Sequence, residues 1–266
     1  MLSSMLAMLI LIRPSFGCPV ACSCQKPDFF LVVDCKGQGL SEIPDDIPDE
    51  VELLNLQDNA IENLDGLLNK NFRALQTLIL NDNHIKNIDP LYKIDLPKLL
   101  VLQINNNNLT GFHTGILDSM PTVFDVGLRG NAIEKVHLDL TSYNFVSIHL
   151  EQNQISNMNI TSIPGMPSSL RVYLNGNAIN CCEFMGKYTL REINFIGECG
   201  LPQQYSGMSF SCFQKFPMRE NVCDYRNLPL KLEISALQND AVYQSNRNEE
   251  LTIILFISLL LELMIL

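Results

Sequence analysis

The chain has 266 residues, with 29 acidic side chains against 18 Lys and Arg, for a formal net charge of −11. An acidic body with no basic run argues against nucleic acid and polyanions as main partners, and the length suits one repeat array with caps, since no break in composition marks a second independent domain. Nine cysteines form two clusters, Cys18, Cys22, Cys24 and Cys35 near the start and Cys181, Cys182, Cys199, Cys212 and Cys223 further on, an arrangement suited to disulfides in an oxidising compartment.

Residues 1–17 read as a signal peptide. The apolar run Met5-Leu6-Ala7-Met8-Leu9-Ile10-Leu11-Ile12 is followed by Arg13-Pro14 and by Ser15 and Gly17 at a spacing that a signal peptidase favours, although no charge precedes the run. The mature chain is expected to begin at Cys18. Residues 18–50 then carry the spacing C-x3-C-x-C-x10-C and the stretch Gly39-Leu40-Ser41-Glu42-Ile43-Pro44. Four cysteines allow three pairings. A zinc site needs thiolates, which an oxidising compartment disfavours.

From 51 to 179 one pattern, apolar-x-x-apolar-x-apolar-x-x-Asn-x-apolar, is written six times. The asparagines Asn59, Asn83, Asn107, Asn131, Asn153 and Asn177 recur at intervals of 24, 24, 24, 22 and 24 residues. Alternation up to each Asn, as in Leu54-Asn55-Leu56 and Leu78-Ile79-Leu80, predicts a short strand with one face buried. The sixth copy has Ser169 where the first apolar residue belongs, with Leu170 one position away. A single copy encloses no core, so neighbouring copies must stack. Each Asn carries donors and an acceptor for backbone groups that the turn leaves unpaired, which repetition extends into a ladder.

This array resembles the extracellular leucine-rich repeat family. The resemblance implies an α/β solenoid, a right-handed horseshoe with a parallel sheet on its concave side and disulfide-capped ends. It identifies residues 18–50 with the family's N-terminal cysteine cap and selects Cys18 with Cys24 and Cys22 with Cys35. Between copies the irregular segments 62–74, 86–98 and 110–122, with anchors such as Leu64, Phe72, Ile88, Leu96, Phe112 and Met120, are expected to form the convex side as short helical or extended pieces. Asn108-Leu109-Thr110 and Asn159-Ile160-Thr161 are N-glycosylation acceptors there.

Residues 180–228 resemble the family's C-terminal cysteine cap, with two departures: Cys181 and Cys182 are adjacent, and there are five cysteines. Adjacent cysteines do not readily bond each other. Cys181 or Cys182 is expected to pair with Cys199 and the other with Cys212 or Cys223, leaving one thiol over. Residues 229–250 form a linker, and 251–266 an apolar tail broken by Thr252, Ser258 and Glu262. As a helix the tail would reach about 24 Å, short of a hydrocarbon core of about 30 Å. Asn239-Asp240-Ala241, a polar spacer and the tail instead fit a glycosylphosphatidylinositol signal with Asn239 as the anchor residue. A retained membrane helix and a freely secreted form are the alternatives.

No catalytic set, cofactor or metal site is expected. His84, His113, His137 and His149 lack metal-ligand spacing, and Asp45, Asp46, Asp49 and Glu50 lack the glycine turn of a calcium loop. The concave face offers Asn55, Ile79, Gln103, Phe124, Asp125, Arg129, His149, Glu151, Arg171 and Tyr173 as candidate ligand contacts. An exposed apolar stripe is expected along Leu53, Ile79, Val101, Phe124, Val146 and Tyr173, and such a stripe suggests a partner. The family resemblance then implies recognition: a non-catalytic adhesion protein, receptor or co-receptor with an extracellular or cell-surface protein ligand. It would be tethered to the outer leaflet and need a transmembrane co-receptor to signal. A secreted matrix or carrier protein and a scaffold subunit of an extracellular enzyme complex are the other readings.

Overall fold

The computed structural model describes residues 17–139, 146–161, 170–181, 193–201, 206–207 and 209–210. Residues 1–16 of the leader, Cys182, Cys212, Cys223, Ser169, Asn239 and the tail lie outside the described residues. All described residues belong to the unit Met1–Met218; the other unit, Arg219–Leu266, lies outside them entirely.

The apolar alternation becomes short parallel strands. Among the described residues one sheet contains nine: β1 (Ser23–Gln25), β2 (Val32–Asp34), β3 (Leu53–Asn55), β4 (Thr77–Ile79), β5 (Val101–Gln103), β7 (Asp125–Gly127), β9 (Val146–His149), β11 (Leu170–Tyr173) and β12 (Ile193–Ile196), adjacent in that order. Only the β1–β2 pair is antiparallel. The register stacks Val33, Leu54, Leu78, Leu102, Val126, Ile148, Val172 and Phe195 in one inward row. These residues are buried in a single core cluster, as stacking of incomplete units requires.

A ladder asparagine follows the end of each of β3, β4, β5, β7, β9 and β11 by four residues. Asn107 Nδ2 reaches the carbonyls of Leu80 at 2.9 Å, Asn105 at 3.1 Å and Ile104 at 3.3 Å, while its Oδ1 accepts from Ile85 N at 3.0 Å. Asn83, Asn131, Asn153 and Asn177 repeat the arrangement, and Asn59 joins the first coil through the Cys35 carbonyl and the Gln38 and Leu40 amides. The residue before each ladder Asn, whether Asp58, Asp82, Asn106, Gly130, Gln152 or Gly176, has φ between 54° and 72°. Asp, Asn and Gly suit that left-handed turn; Gln152 is the one residue of the six without that aptitude.

The opposite side changes character along the chain. The first two coils of the array return through 3-10 turns, Asp65–Leu67 and Asp89–Lys93, and the third combines a strand with the 3-10 turn Thr114–Ser119. Later coils return through β6 (Gly111–His113), β8 (Lys135–Asp139) and β10 (Asn157–Thr161), a parallel sheet in the order β10-β8-β6. Period-2 burial of Phe112, Val136, Leu138 and Met158 accounts for the change, because alternating apolar side chains anchor a strand where Asp-Pro or Asp-Gly starts a turn.

Crosslinks seal both ends. Cys18 is bonded to Cys24, Cys22 to Cys35 and Cys181 to Cys199. At the first end Leu31, Ile43 and Ile47 close the core; at the other, β12 adds a further strand beyond the sixth copy, with Phe210 fully buried.

Candidate ligand-binding face

The outward side of the long sheet carries a side-chain network crossing several coils. Asn81 Oδ1 accepts from Asn105 N at 2.7 Å, and Asn105 Nδ2 donates to Gln103 Oε1 at 2.7 Å. Gln103 Nε2 donates to Asp125 Oδ2 at 2.6 Å. Asp125 Oδ1 lies 3.2 Å from His149 Nε2, and His149 Nδ1 lies 3.3 Å from Glu151 Oε1. Tyr173 stacks on the His149 ring, centroids 4.4 Å apart and planes within 5°. Strand register explains the alignment, since Gln103, Gly127, His149 and Tyr173 occupy one outward row.

Gly127 makes the crossing possible. A β-carbon there would sit 2.2 Å from Gln103 Oε1 and 2.8 Å from Asn105 Nδ2, so the missing side chain is the space through which Gln103 reaches Asp125. Burial alone would pull the His149 imidazole down, but its contacts with Asp125 and Glu151 outweigh that and hold it up at about 10. His149 is therefore a cation at neutral pH, fixed between two carboxylates. A protonated imidazole accepts no proton, so it cannot serve as a general base there. Glu151 Oε2 is enclosed and has no hydrogen-bond partner among the described residues.

The other candidate residues are placed around this network. Arg129, exposed, donates its backbone N–H to Asn105 Oδ1 at 2.8 Å and its Nε–H to Gln152 Oε1 at 3.1 Å. Asn55 is half-buried and its Oδ1 accepts from Gln57 N at 3.1 Å. Arg171, half-buried, sits in register with Ser147 and Asn194. Asn108 and Asn159 are exposed on the other side of the coil.

The expected apolar stripe is not continuous. Leu53 and Val101 are only 8% and 7% exposed, although neither joins the inner cluster. They sit on the outward row with Val32 and Thr77, where side chains on strands about 4.8 Å apart cover one another. Val146 does not face outward at all: it and Leu170, its partner in register, pack in the core. Ile79 and Tyr173 are half-buried, and Phe124, at 39%, is the exposed member. The stripe is thus a polar network with Phe124 at its edge.

A second feature lies on the opposite side. A groove of about 840 Å³ is lined by Tyr92, His113, Lys135, His137, Asn157 and Asn159, among others. His113 and His137 stack there, centroids 4.3 Å apart and planes within 9°. Tyr92 Oη donates to the His113 carbonyl at 3.1 Å; burial, then Asp89 and Asp118, raise that phenol above its usual range. The three- or four-residue spacing of metal ligands does not reveal this pair. Their separation is the 24-residue repeat interval itself, so the signal was the period already carried by the asparagines.

A leucine-rich repeat family model matches residues 73–133. "Leucine-rich repeat-containing protein 3" of Danio rerio is 38% identical over 74 residues, covering 28% of this chain and 28% of that protein. "Leucine-rich repeat and transmembrane domain-containing protein 1" of Mus musculus is 42% identical over 69 residues, 26% of this chain and 19% of that one. Human decorin is 38% identical over 69 residues, 25% and 18%. The chain thus matches under a third of the length of each of these relatives. Among solved structures, internalin C2 of Listeria monocytogenes aligns at a TM-score of 0.39 and 23% identity, over 53% of this chain and 59% of that one, a level that adds nothing to the fold described above. The matched repeats at 73–133, and the coils stacked before and after them with the same asparagine column, form a leucine-rich repeat solenoid.

Proposed function

We propose that the chain is a non-catalytic recognition protein of the cell surface, a receptor or co-receptor that binds a protein ligand on the outward side of its long sheet. The observation that carries this reading is the network from Asn81 to Glu151. It fixes polar groups of several coils in one arrangement before any partner arrives, with Phe124 exposed at its edge and Tyr173 stacked at its end. Fixed groups lose little freedom on binding, and aromatic and Arg side chains are the types that dominate interface energies. Residues 1–17 would direct the chain into the secretory pathway, Asn239 would take the lipid anchor after removal of the tail, and a transmembrane co-receptor would carry any signal.

Screening residues 18–239 against an array of cell-surface ectodomains tests the reading. Phe124→Ala with Tyr173→Ala is expected to weaken the captured pair by about tenfold or more, with the fold retained by circular dichroism. Unchanged affinity would place the site elsewhere on the molecule. Phospholipase C treatment of intact cells tests the anchor; retention of the protein on the surface would defeat it.

A further inference from the structure

On the extracellular reading given above, we propose that the groove opposite the long sheet is the seat of the chain's own N-linked glycan, attached at Asn159 and held against the stacked His113–His137 pair. Asn159 and Thr161, the two residues an acceptor sequence needs, both contact the same ring. Asn159 Nδ2 lies 2.9 Å from His137 Nδ1, and Thr161 Oγ1 lies 3.4 Å from His137 Nε2. The amide donates to Nδ1, and Nε2 faces the threonine oxygen. The parallel strands β8 and β10 set this geometry, pairing Asn159 with His137 and Thr161 with Asp139.

The attachment chemistry fits the position. Asn159 Nδ2 loses one hydrogen as a proton and bonds to the anomeric carbon of a lipid-diphosphate-linked oligosaccharide, whose C–O bond breaks as the lipid diphosphate leaves. The second N–H remains and continues to donate to His137 Nδ1, which fixes the direction in which the first sugar leaves the strand. That direction is the groove, because Asn159 is itself part of the lining, with His113, His137 and Tyr92. These rings present flat faces for sugar C–H groups, and Lys135 and Asn157 offer donors for hydroxyls. A metal ion is the poorer occupant, because stacked parallel imidazoles do not aim their in-plane nitrogens at one point. Asn108, the other acceptor, is exposed outside this lining and is an internal control.

The test uses the full chain made in secretory cells with carbon-13-labelled sugars. The expected result is occupancy at both Asn108 and Asn159, with nuclear Overhauser contacts from the first sugar on Asn159 to the His137 and His113 rings. Native-state removal by peptide N-glycosidase should be about tenfold slower at Asn159 than at Asn108, and the difference should vanish after denaturation and in His113→Ala/His137→Ala. Occupancy at Asn108 with Asn159 bare would overturn the inference and leave the extracellular reading standing. So would two occupied sites with equal native removal rates and no sugar–imidazole contacts. Both sites bare would overturn the extracellular reading and this inference with it.

Discussion

On the long sheet the repeat interval places Asp125, His149 and Tyr173 on neighbouring coils, where charge, hydrogen bonding and stacking tie one coil to the next. On the short sheet the same interval places His113 beside His137, tied by stacking and by Asn159, next to an open groove. One arrangement closes on itself and leaves a fixed surface. The other leaves space. A common period therefore decides which residues meet, while residue type decides whether the meeting fills a surface or opens a slot. Both depend on the buried asparagine column between them, and the sharpest ways to separate these contributions act on that column first.

Asn107→Ala should act most directly on the column, because it leaves the buried Ile85 amide without its acceptor and takes one donor each from the Leu80, Ile104 and Asn105 carbonyls, which keep Asn83 Nδ2, Asn131 Nδ2 and Asp82 N. A loss of roughly 1–3 kcal/mol in urea unfolding is expected, and an unchanged midpoint would remove the column from the account. The pH dependence comes next. His149 is held at about 10 in the folded chain against about 6.5 unfolded, so its contribution is complete below pH 6.5 and is lost as pH rises toward 10. The slope across that window should not exceed about 1.4 kcal/mol per pH unit, and in His149→Gln it should flatten relative to wild type.

Gly127→Ala should cost about 1 kcal/mol by pushing Gln103 off Asp125. The same substitution should leave the groove unaffected, which nuclear magnetic resonance shifts of His113 and His137 would report. A smaller effect is a gain: Gln152→Asn eases the left-handed turn and should raise stability by about 0.5 kcal/mol. Replacing Lys86, whose partner Glu62 is a solvent-exposed carboxylate, should leave the melting temperature unchanged.

The repeat array and its parallel sheet were legible because a 24-residue period with an Asn at a fixed place is written in the letters themselves. The outward face was legible only in part. Alternation assigns Leu53 and Val101 to the outside correctly, but exposure depends on neighbours two coils wide, which no single copy contains. Val146, like Leu170 seven residues before its own ladder Asn, lies in the core where β9 and β11 begin one residue earlier than the strands before them, a shift that a fixed template does not show. Gly127 reads as a gap in a strand until Gln103 is seen crossing it. The His113–His137 pair was hidden because local spacing rules were applied to residues that meet only through the repeat.

Hydroxyl-radical footprinting of the chain, free and bound to a partner captured from the ectodomain array, tests the proposed binding face most directly. The account predicts that Phe124 and Tyr173 become protected while Tyr92, beside the groove, reacts as before. Protection of Tyr92 with Phe124 and Tyr173 unchanged would contradict it.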